Sequence, residues 1–516
     1  MRTKDELLTV VVDAFLGEVV LPPSQRLPRH WRPAITVVAT RSRDALRRHP
    51  WILDITDDPK IGPNATCSAT SGSGLQRSVP YDSAVVWSDS LSLAKLVTDA
   101  MDGDPGHALA RWAASGAMQL TGMAAGPPLA GPARVALALD ALAARVAELS
   151  AELGDAVNVD GGALLGERAA LAGLVRQGAV SCGQGCHLLE ASDGWIGLSL
   201  VRETDVELLD AWLGTSLGID ISVPVGAPVW STLAETVRGQ RSVRLVEQAS
   251  LLGLPCAHLG EMSDRGDLVE VGFIERDRRA RRRLDSLTVV DLSALWAGPL
   301  CAQLLGSGGA RVVKIESCSR PDGARYGPQE FFDLLHAGHE SVALDFTAPH
   351  GRRTLRALLL TADVVIEASR PRALETLGVS FDVLRDDGWR GVWLSITGYG
   401  RTGHDARRVA FGDDAAVAGG LIAGNEAAPV FCADAIADPT TGLLAAAAVL
   451  SAIDAGITGH IAVSLARTAA HLAAGVRRHP TIAPAPDVVV APPRSRSLRG
   501  RAATLGTHTD EVLRSL

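Results

Sequence analysis

Leu287-Thr288-Val289-Val290-Asp291-Leu292 is an apolar run of strand length, and the elements downstream of it decide the fold. Pro299–Leu305 carries a helical pattern that ends in Gly306-Ser307-Gly308-Gly309, and Val312-Val313-Lys314-Ile315-Glu316 is the next strand. The alternation continues through a short strand at Ser341–Asp345, a helix at Gly351–Leu360 and a strand at Ala362-Asp363-Val364-Val365-Ile366-Glu367. A further strand, Gly391–Ile396, is closed by Thr397-Gly398-Tyr399-Gly400. Strands alternating with helices predict an α/β fold: a parallel, nucleotide-binding-like sheet with crossover helices. The glycines at 306–309 follow a helix and precede a strand. They read as a C-cap and turn, because a phosphate loop needs the reverse order.

At 516 residues the chain is too long for one ordinary core, so two or three domains are expected. With 47% hydrophobic and only 21% charged residues it is expected to be globular, and a net charge of −8 argues against a nucleic-acid or anionic-membrane surface. The seven cysteines include no CxxC pair. Cys182 and Cys186 have no second ligand pair, so free thiols in a reducing compartment are expected, with no metal. The N-terminus begins Met-Arg-Thr-Lys-Asp-Glu without a signal-type apolar core, and the apolar run near Leu443–Ile453 is shorter than the roughly 20 residues a bilayer needs. These features predict a cytoplasmic protein without a membrane segment.

The N-terminal half is harder to read. Residues 1–100 mix short apolar runs with Pro and Arg clusters and give no clear pattern. Gly116-Ala117-Met118-Gln119-Leu120-Thr121-Gly122, then Pro127-Pro128-Leu129, echoes Gly419-Gly420-Leu421-Ile422-Ala423-Gly424, then Pro429-Val430-Phe431. The helix Val135–Leu149 would then answer the one that follows Asp438, as in a degenerate internal repeat. Its start, Gly131-Pro132-Ala133-Arg134, carries no carboxylate.

Ala437-Asp438-Pro439-Thr440-Thr441-Gly442 precedes the apolar run Leu443–Leu450. Asp before Pro at a helix start reads as an N-cap with Pro at N1. It also reads as a chemical group, because the helix dipole and nearby N–H groups would hold the carboxylate ionised, the state a nucleophile needs. The two readings coexist. Asp434, four residues earlier, reads as structural. The loop Ser293-Ala294-Leu295-Trp296-Ala297-Gly298-Pro299 follows a strand and opens a helix, where parallel-sheet proteins place ligands. Its small residues would let a ligand approach the backbone, and helix N–H groups would face an anion. Trp296 is equally a packing residue.

These two segments, together with Leu505-Gly506-Thr507-His508-Thr509-Asp510-Glu511-Val512-Leu513 at the end of the chain, resemble family III CoA-transferases. That family includes formyl-CoA transferase, carnitine CoA-transferase and alpha-methylacyl-CoA racemase. The resemblance implies that Asp438 carries the acyl group covalently. It also implies that Leu295, Trp296, Ala297 and Gly298 line the CoA thioester site. Before the Ser341-Val342-Ala343-Leu344-Asp345 strand the family reads asparagine, then glycine–lysine–arginine. Here His336, His339 and Glu340 stand instead, so two cations are missing, and His336 and His339 are left as the nucleotide contacts, with a plain surface residue as the other reading of His339. Arg370 matches the arginine of the family's asparagine–phenylalanine–arginine–proline, whereas Ala368 departs from it; a solvated loop arginine is the other reading. Phe411 and Gly412 stand where the racemases place a histidine and an aspartate for proton transfer. Asp413 and Asp414 read as helix-start charges.

Gly183-Gln184-Gly185, Ser192-Asp193-Gly194-Trp195-Ile196-Gly197-Leu198 and Leu252-Gly253-Leu254-Pro255-Cys256 resemble the family's smaller domain, which here precedes the large one. The resemblance therefore implies a permuted or degenerate-duplicate architecture. Residues 1–155 would be a degenerate large-domain-like region and 156–284 the small domain. Residues 285–470 would be the catalytic large domain, and 471–516 a tail packing back on it. The function implied is transfer of CoA between an acyl-CoA donor and a carboxylic acid acceptor through an aspartyl intermediate. Coenzyme A and acyl-CoA would be substrates, with no permanently bound cofactor, in a homodimer. A 2-methylacyl-CoA racemase or epimerase and a non-catalytic CoA-binding subunit are the alternatives.

Overall fold

The computed structural model describes residues 88–215, 229–262, 265–277, 280–474 and 488–516. The chain divides between Val85 and Val86, and everything described belongs to the unit Val86–Leu516. Expectations for residues 1–87 lie outside the described residues.

The described strands run in chain order as β1 (Cys186–Ala191), β2 (Gly194–Ser199), β3 (Cys256–His258), β4 (Glu270–Arg276), β5 (Thr288–Asp291) and β6 (Arg311–Ser317). They continue as β7 (Glu340–Leu344), β8 (Val364–Glu367), β9 (Val392–Thr397), β10 (Ala423–Asn425), β11 (Ala428–Val430) and β12 (Ile457–Ser464). Five helices matter for the site: α1 (Arg134–Leu153), α2 (Glu167–Ala172), α3 (Ala297–Ser307), α4 (Gly412–Gly419) and α5 (Ala437–Asp454).

A seven-stranded sheet of order β4-β12-β9-β8-β5-β6-β7 forms the frame, and every pair in it is parallel except β12 with β4. The α/β expectation is met, and each strand and helix predicted between 287 and 396 is present. Successive side chains point to opposite faces of a strand, so both faces of a buried parallel sheet must be apolar. Val289, Val312, Val364, Ile366, Leu394 and Ile396 pack on one face with α1, α3 and α5. Val290, Val313, Ile315, Val342, Val365 and Trp393 pack on the other, against Leu355, Leu358, Leu359, Phe381 and Val512. Strand β4, at residues assigned by resemblance to the smaller domain, instead adds to the edge of the large sheet. It pairs antiparallel with β12, whose register shifts between Gly459 and Ile461.

Helix α5 is buried along its whole length apart from Asp438 and Asp454. Its alanines and one glycine let neighbouring helices come close. A Cβ on Gly442 would lie 2.6 Å from the carbonyl oxygen of Ala297, so α3 and α5 cross in near backbone contact. The helix expected at Val135–Leu149 forms as α1, Arg134–Leu153, and packs in the same core. The stretch before α1 also meets the one before α5, where the Ala433 amide donates to Thr121 Oγ1 at 3.1 Å.

The three-stranded antiparallel sheet β1-β2-β3 docks on α4. Gly197 lies flat against Val417, and Ser199 Oγ donates to Asp414 Oδ1 at 2.7 Å. At the far edge the chain terminus covers β7. The Ser341 amide donates to His508 Nδ1 at 3.0 Å, the Ala343 amide to Thr509 Oγ1 at 3.1 Å, and the Gly506 amide to Ser341 Oγ at 3.1 Å. Unpaired strand-edge groups are thereby satisfied.

The Gly442 crossing yields a direct expectation. Gly442→Val would drive a branched side chain into the Ala297 carbonyl and should destabilise the chain by about 1–3 kcal/mol. A thermal melt with an unchanged midpoint would contradict the crossing.

Candidate active site

Helix α5 runs antiparallel to β12, so its first turn sits beyond the C-terminal ends of the parallel strands, as does the first turn of α3. The approach to α5 is strained. Ala433 and Ala435 have φ of 55° and 43°, left-handed values that cost a non-glycine residue about 1–2 kcal/mol each. Asp434 stands between them, fully buried, and takes both arms of the Arg168 guanidinium, at 2.5 Å on Oδ1 and 3.0 Å on Oδ2. The structural reading of Asp434 is therefore the one this geometry fits.

Asp438 is not the N-cap that its sequence suggests. Ile436 caps α5 without any side-chain bond, and Asp438 is already helical, its amide donating to the Ala435 carbonyl at 2.8 Å. The carboxylate is free to turn toward α4. A Cβ on Gly412 would fall 2.5 Å from Asp438 Oδ2, so only glycine leaves room for it there. The Gly412 amide hydrogen-bonds the carboxylate. Where the racemases are expected to place an aspartate, this chain has a bare backbone that receives one.

The electrostatics also depart from expectation. Burial pushes the Asp438 carboxyl up to about 7; Arg168 and the Gly412 amide pull it down, while Asp413 and Asp434 push it further up. Asp438 keeps part of its surface open, so water moderates this rise. The helix terminus thus does not by itself keep the group ionised. Burial also raises Asp413, to about 6, against the pull of Arg168. Asp414 is raised to about 7 by burial, although Ser199 Oγ and the Phe411 amide both donate to it. Its bond to Phe411 closes the start of α4, in keeping with a helix-start role.

Opposite lies the loop between β5 and α3, and a buried ion network builds it. Asp291 Oδ1 accepts from the Ser293 amide at 2.8 Å and from its hydroxyl. Asp322 Oδ1 accepts from the Leu295 amide at 3.0 Å. Lys314, almost fully buried, donates to the Ser293 carbonyl at 2.5 Å and lies 3.4 Å from Asp291 and 3.0 Å from Asp322. Burial alone would push Lys314 down, but Asp291 and Asp322 outweigh it and hold the ammonium charged. The network fixes Leu295 at φ 69°, and the Leu295 side chain is exposed. Trp296 is buried edge-on against Phe331, with the Arg168 guanidinium over its ring at 5.1 Å from the centroid. Ala297 and Gly298 are buried too. A Cβ on Gly298 would meet Ser293 Oγ at 2.1 Å, so the loop itself requires its smallness.

His336 and His339 are buried on the other side of this network, with their rings 5.5 Å apart. Burial, and after it the Lys314 charge, lowers both, His339 to about 3, so both rings stay neutral near pH 7. Glu340 pairs with Arg311 at 2.7 Å. Arg370 is exposed where β8 leads into the helix Pro371–Leu377, beside the Gly253 turn. The structure therefore brings Asp438, Gly412, Asp413, Asp434, Arg168 and Trp296 together. It sets the histidine pair behind Lys314, and no described contact joins Arg370 to Asp438.

Arg168 and Lys314 were not among the expected site residues. No motif surrounds Gly166-Glu167-Arg168-Ala169, so the sequence carries no signal for Arg168. Lys314 does leave one, because a lysine inside Val312–Ile315 must find buried counter-charges. A cavity of about 330 Å³ lies between residues 156–159, α3 and Arg496, and one of about 120 Å³ lies by Asp363 and Ile457; neither is lined by Asp438. Among the described residues no group of His, Cys, Asp or Glu is arranged to hold a metal ion, and no helix is long and apolar enough to cross a membrane.

Asp414 gives this network a thermodynamic signature. A carboxyl raised above its unfolded value stabilises the fold while it stays protonated, and that contribution is lost as pH climbs from about 4 through about 7. Asp414→Asn keeps the acceptor and cannot ionise. It should therefore gain on the wild type at pH 8 by up to the order of 4 kcal/mol, and gain little at pH 4. Melting curves at the two pH values check this; an equal effect at both would contradict a raised Asp414.

Comparison with known proteins bears on this site directly. Residues 284–483, which include the β5–α3 loop and Asp438, match the model of CoA-transferase family III. An acyl-CoA transferase of Fusarium pseudograminearum is 31% identical over 188 residues, 33% of this chain and 41% of that protein. Human succinyl-CoA:glutarate CoA-transferase is 28% identical over 38% of this chain and 47% of its own length. Human alpha-methylacyl-CoA racemase is 35% identical over 24% of this chain and 30% of its own length. The chain thus spans less than half the length of these relatives. Over residues 284–483 the resemblance to family III CoA-transferases drawn from the sequence is borne out.

Proposed function

We propose that this chain moves CoA between an acyl-CoA donor and a carboxylic acid acceptor, with Asp438 as the covalent carrier. The observation that carries the reading is the meeting of Asp438 with Gly412. A carboxylate in the family-matched segment is turned out of its own helix into a space that only glycine leaves open.

The chemistry is a series of acyl exchanges. Ionised Asp438 attacks the thioester carbonyl, forming an aspartyl–acyl anhydride and releasing CoA thiolate. The thiolate attacks the aspartyl carbonyl, which frees the first acid and leaves an aspartyl-CoA thioester. The acceptor carboxylate attacks that thioester and forms a new anhydride. The thiolate then takes the new acyl group and restores Asp438. Each step trades one activated acyl bond for another of similar energy, so the protein has to position the groups and keep water out. Buried Trp296 and the small residues around α3 would form the dry wall of the site. Because Asp438 attacks only when ionised, and burial raises it to about 7, the rate should climb with pH through neutrality and level off above it.

The second reading is a CoA-binding chain without catalysis. It is favoured by the burial of His336 and His339, which leaves no cation where the resemblance calls for one. The racemase reading lacks its histidine: the groups that act most on Asp438 are Arg168, Asp413, Asp434 and the Gly412 amide.

Transfer assays with succinyl-, formyl- and 2-methylacyl-CoA against a panel of carboxylates, read by chromatography of the product thioester, separate the three. Wild-type protein should form product thioester, and Asp438→Ala should form none while remaining folded. Deuterium appearing at the α-carbon of a 2-methylacyl-CoA would favour the racemase, and an inactive wild type the binding role. Gly412→Ala should displace the carboxylate and lower kcat about 100-fold, the size expected for a misplacement of about 1 Å. An active Gly412→Ala enzyme would contradict the geometry.

A further inference from the structure

Four non-glycine residues have left-handed backbone among the described residues: Gln184, Leu295, Ala433 and Ala435. All four lie in the three loops that surround one side chain. The Arg168 guanidinium grips Asp434 between the two alanines and lies over the Trp296 ring beside Leu295. On the third side, a Cβ on Gly183, next to Gln184, would lie 3.3 Å from Arg168 Nη2. Strained backbone persists only where surrounding contacts hold it; Arg168 lies against all three loops, and the Asp322 carboxylate holds Leu295 as well.

We propose that Arg168, carried by α2 in the N-terminal half, is the positioning residue for Asp438. It holds the loop that launches α5 in its strained form and supplies the positive charge that keeps the Asp438 carboxylate available. The proposal rests on the reading of Asp438 as the nucleophile.

The surrounding charges leave Arg168 that role. From α4 comes Asp413, hydrogen-bonded to Ser181, and from the strained loop comes Asp434. From the loops that pack against them come Cys182 and Cys432, whose thiols burial keeps protonated. Among the groups acting most strongly on Asp438, Arg168 is the cation. A planar fork can hold Asp434 with two bonds while its face rests on an indole; a lysine ammonium cannot do both. Arg168→Lys therefore separates charge from geometry, and Arg168→Gln removes both.

The test uses the full chain and two readouts. Carbon-13 NMR of protein labelled at aspartate carboxyls, with the Asp438 signal assigned through Asp438→Asn, gives the titration midpoint without reference to activity. Steady-state transfer assays give kcat and KM against pH. Arg168→Gln should raise the Asp438 midpoint by about one pH unit or more, equivalent to a tenfold change in ionisation equilibrium. It should also lower kcat at neutral pH at least about tenfold with KM little changed, the pattern of an interaction lost in the transition state. Arg168→Lys should keep the midpoint near the wild-type value and still lose kcat. An unmoved midpoint in Arg168→Gln overturns the proposal whether or not the wild type transfers CoA, so failure of the functional reading stays distinct. If Arg168→Gln does not fold, Arg168→Lys decides: wild-type kcat overturns the proposal, and a lowered kcat at unchanged KM supports it.

Discussion

Three carboxylates gather at the start of α5 against one guanidinium, and the rest of the site depends on how that imbalance is held. Asp434 takes the guanidinium outright, through two bonds. Asp413 and Asp438 are pushed up by burial, against the pull of its charge. Taking an anion out of water is costly unless it is paired or protonated. One aspartate is thereby fixed as structure, and another is kept near the point of ionisation at neutral pH. A nucleophile that must ionise and then carry an acyl group suits that second state.

The frame that supports this arrangement is a parallel sheet covered on both faces, with two helices starting side by side at its C-terminal edge. Helix α3 is set by a buried network of Asp291, Lys314 and Asp322, and removing Lys314 would leave both carboxylates buried without their shared counter-charge. Helix α5 is set by its contact with α3 at Gly442 and by the loop pinned to Arg168. The two halves of the described chain are also tied through Arg496. It spans from the tail to Glu167 beside Arg168 and is bonded there at 2.6 Å and 2.9 Å. The residue that carries charge to the site thus has a buried ion pair next to it in sequence.

The large sheet was legible because strands such as Thr288–Asp291 and Val364–Glu367 are short, apolar and separated by helical patterns. Strand β4 was not, because Glu270–Arg276 alternates weakly and takes its place at the sheet edge by pairing with β12. Asp438 was legible from its segment, yet its state was not: the dipole argument predicted an ionised cap, and burial beside two other aspartates produced the opposite shift. Gly298 also has a packing role that its segment did not reveal, because Ser293 folds back over it. Arg168 was invisible, since it lies 266 residues from Asp434 in a helix with no motif, and only the fold brings the two together.

The claim that Asp438 forms a covalent thioester is open to one direct measurement. Protein incubated with an acyl-CoA donor and quenched with hydroxylamine should yield, on peptide mapping by mass spectrometry, a hydroxamate on Asp438 within the peptide that contains Ala437–Gly442. Neither Asp434 nor Asp413 should carry one, since the first is held by Arg168 and the second by Ser181 and the Ala435 backbone. A hydroxamate on another residue, or product formation without any hydroxamate at Asp438, would contradict the account.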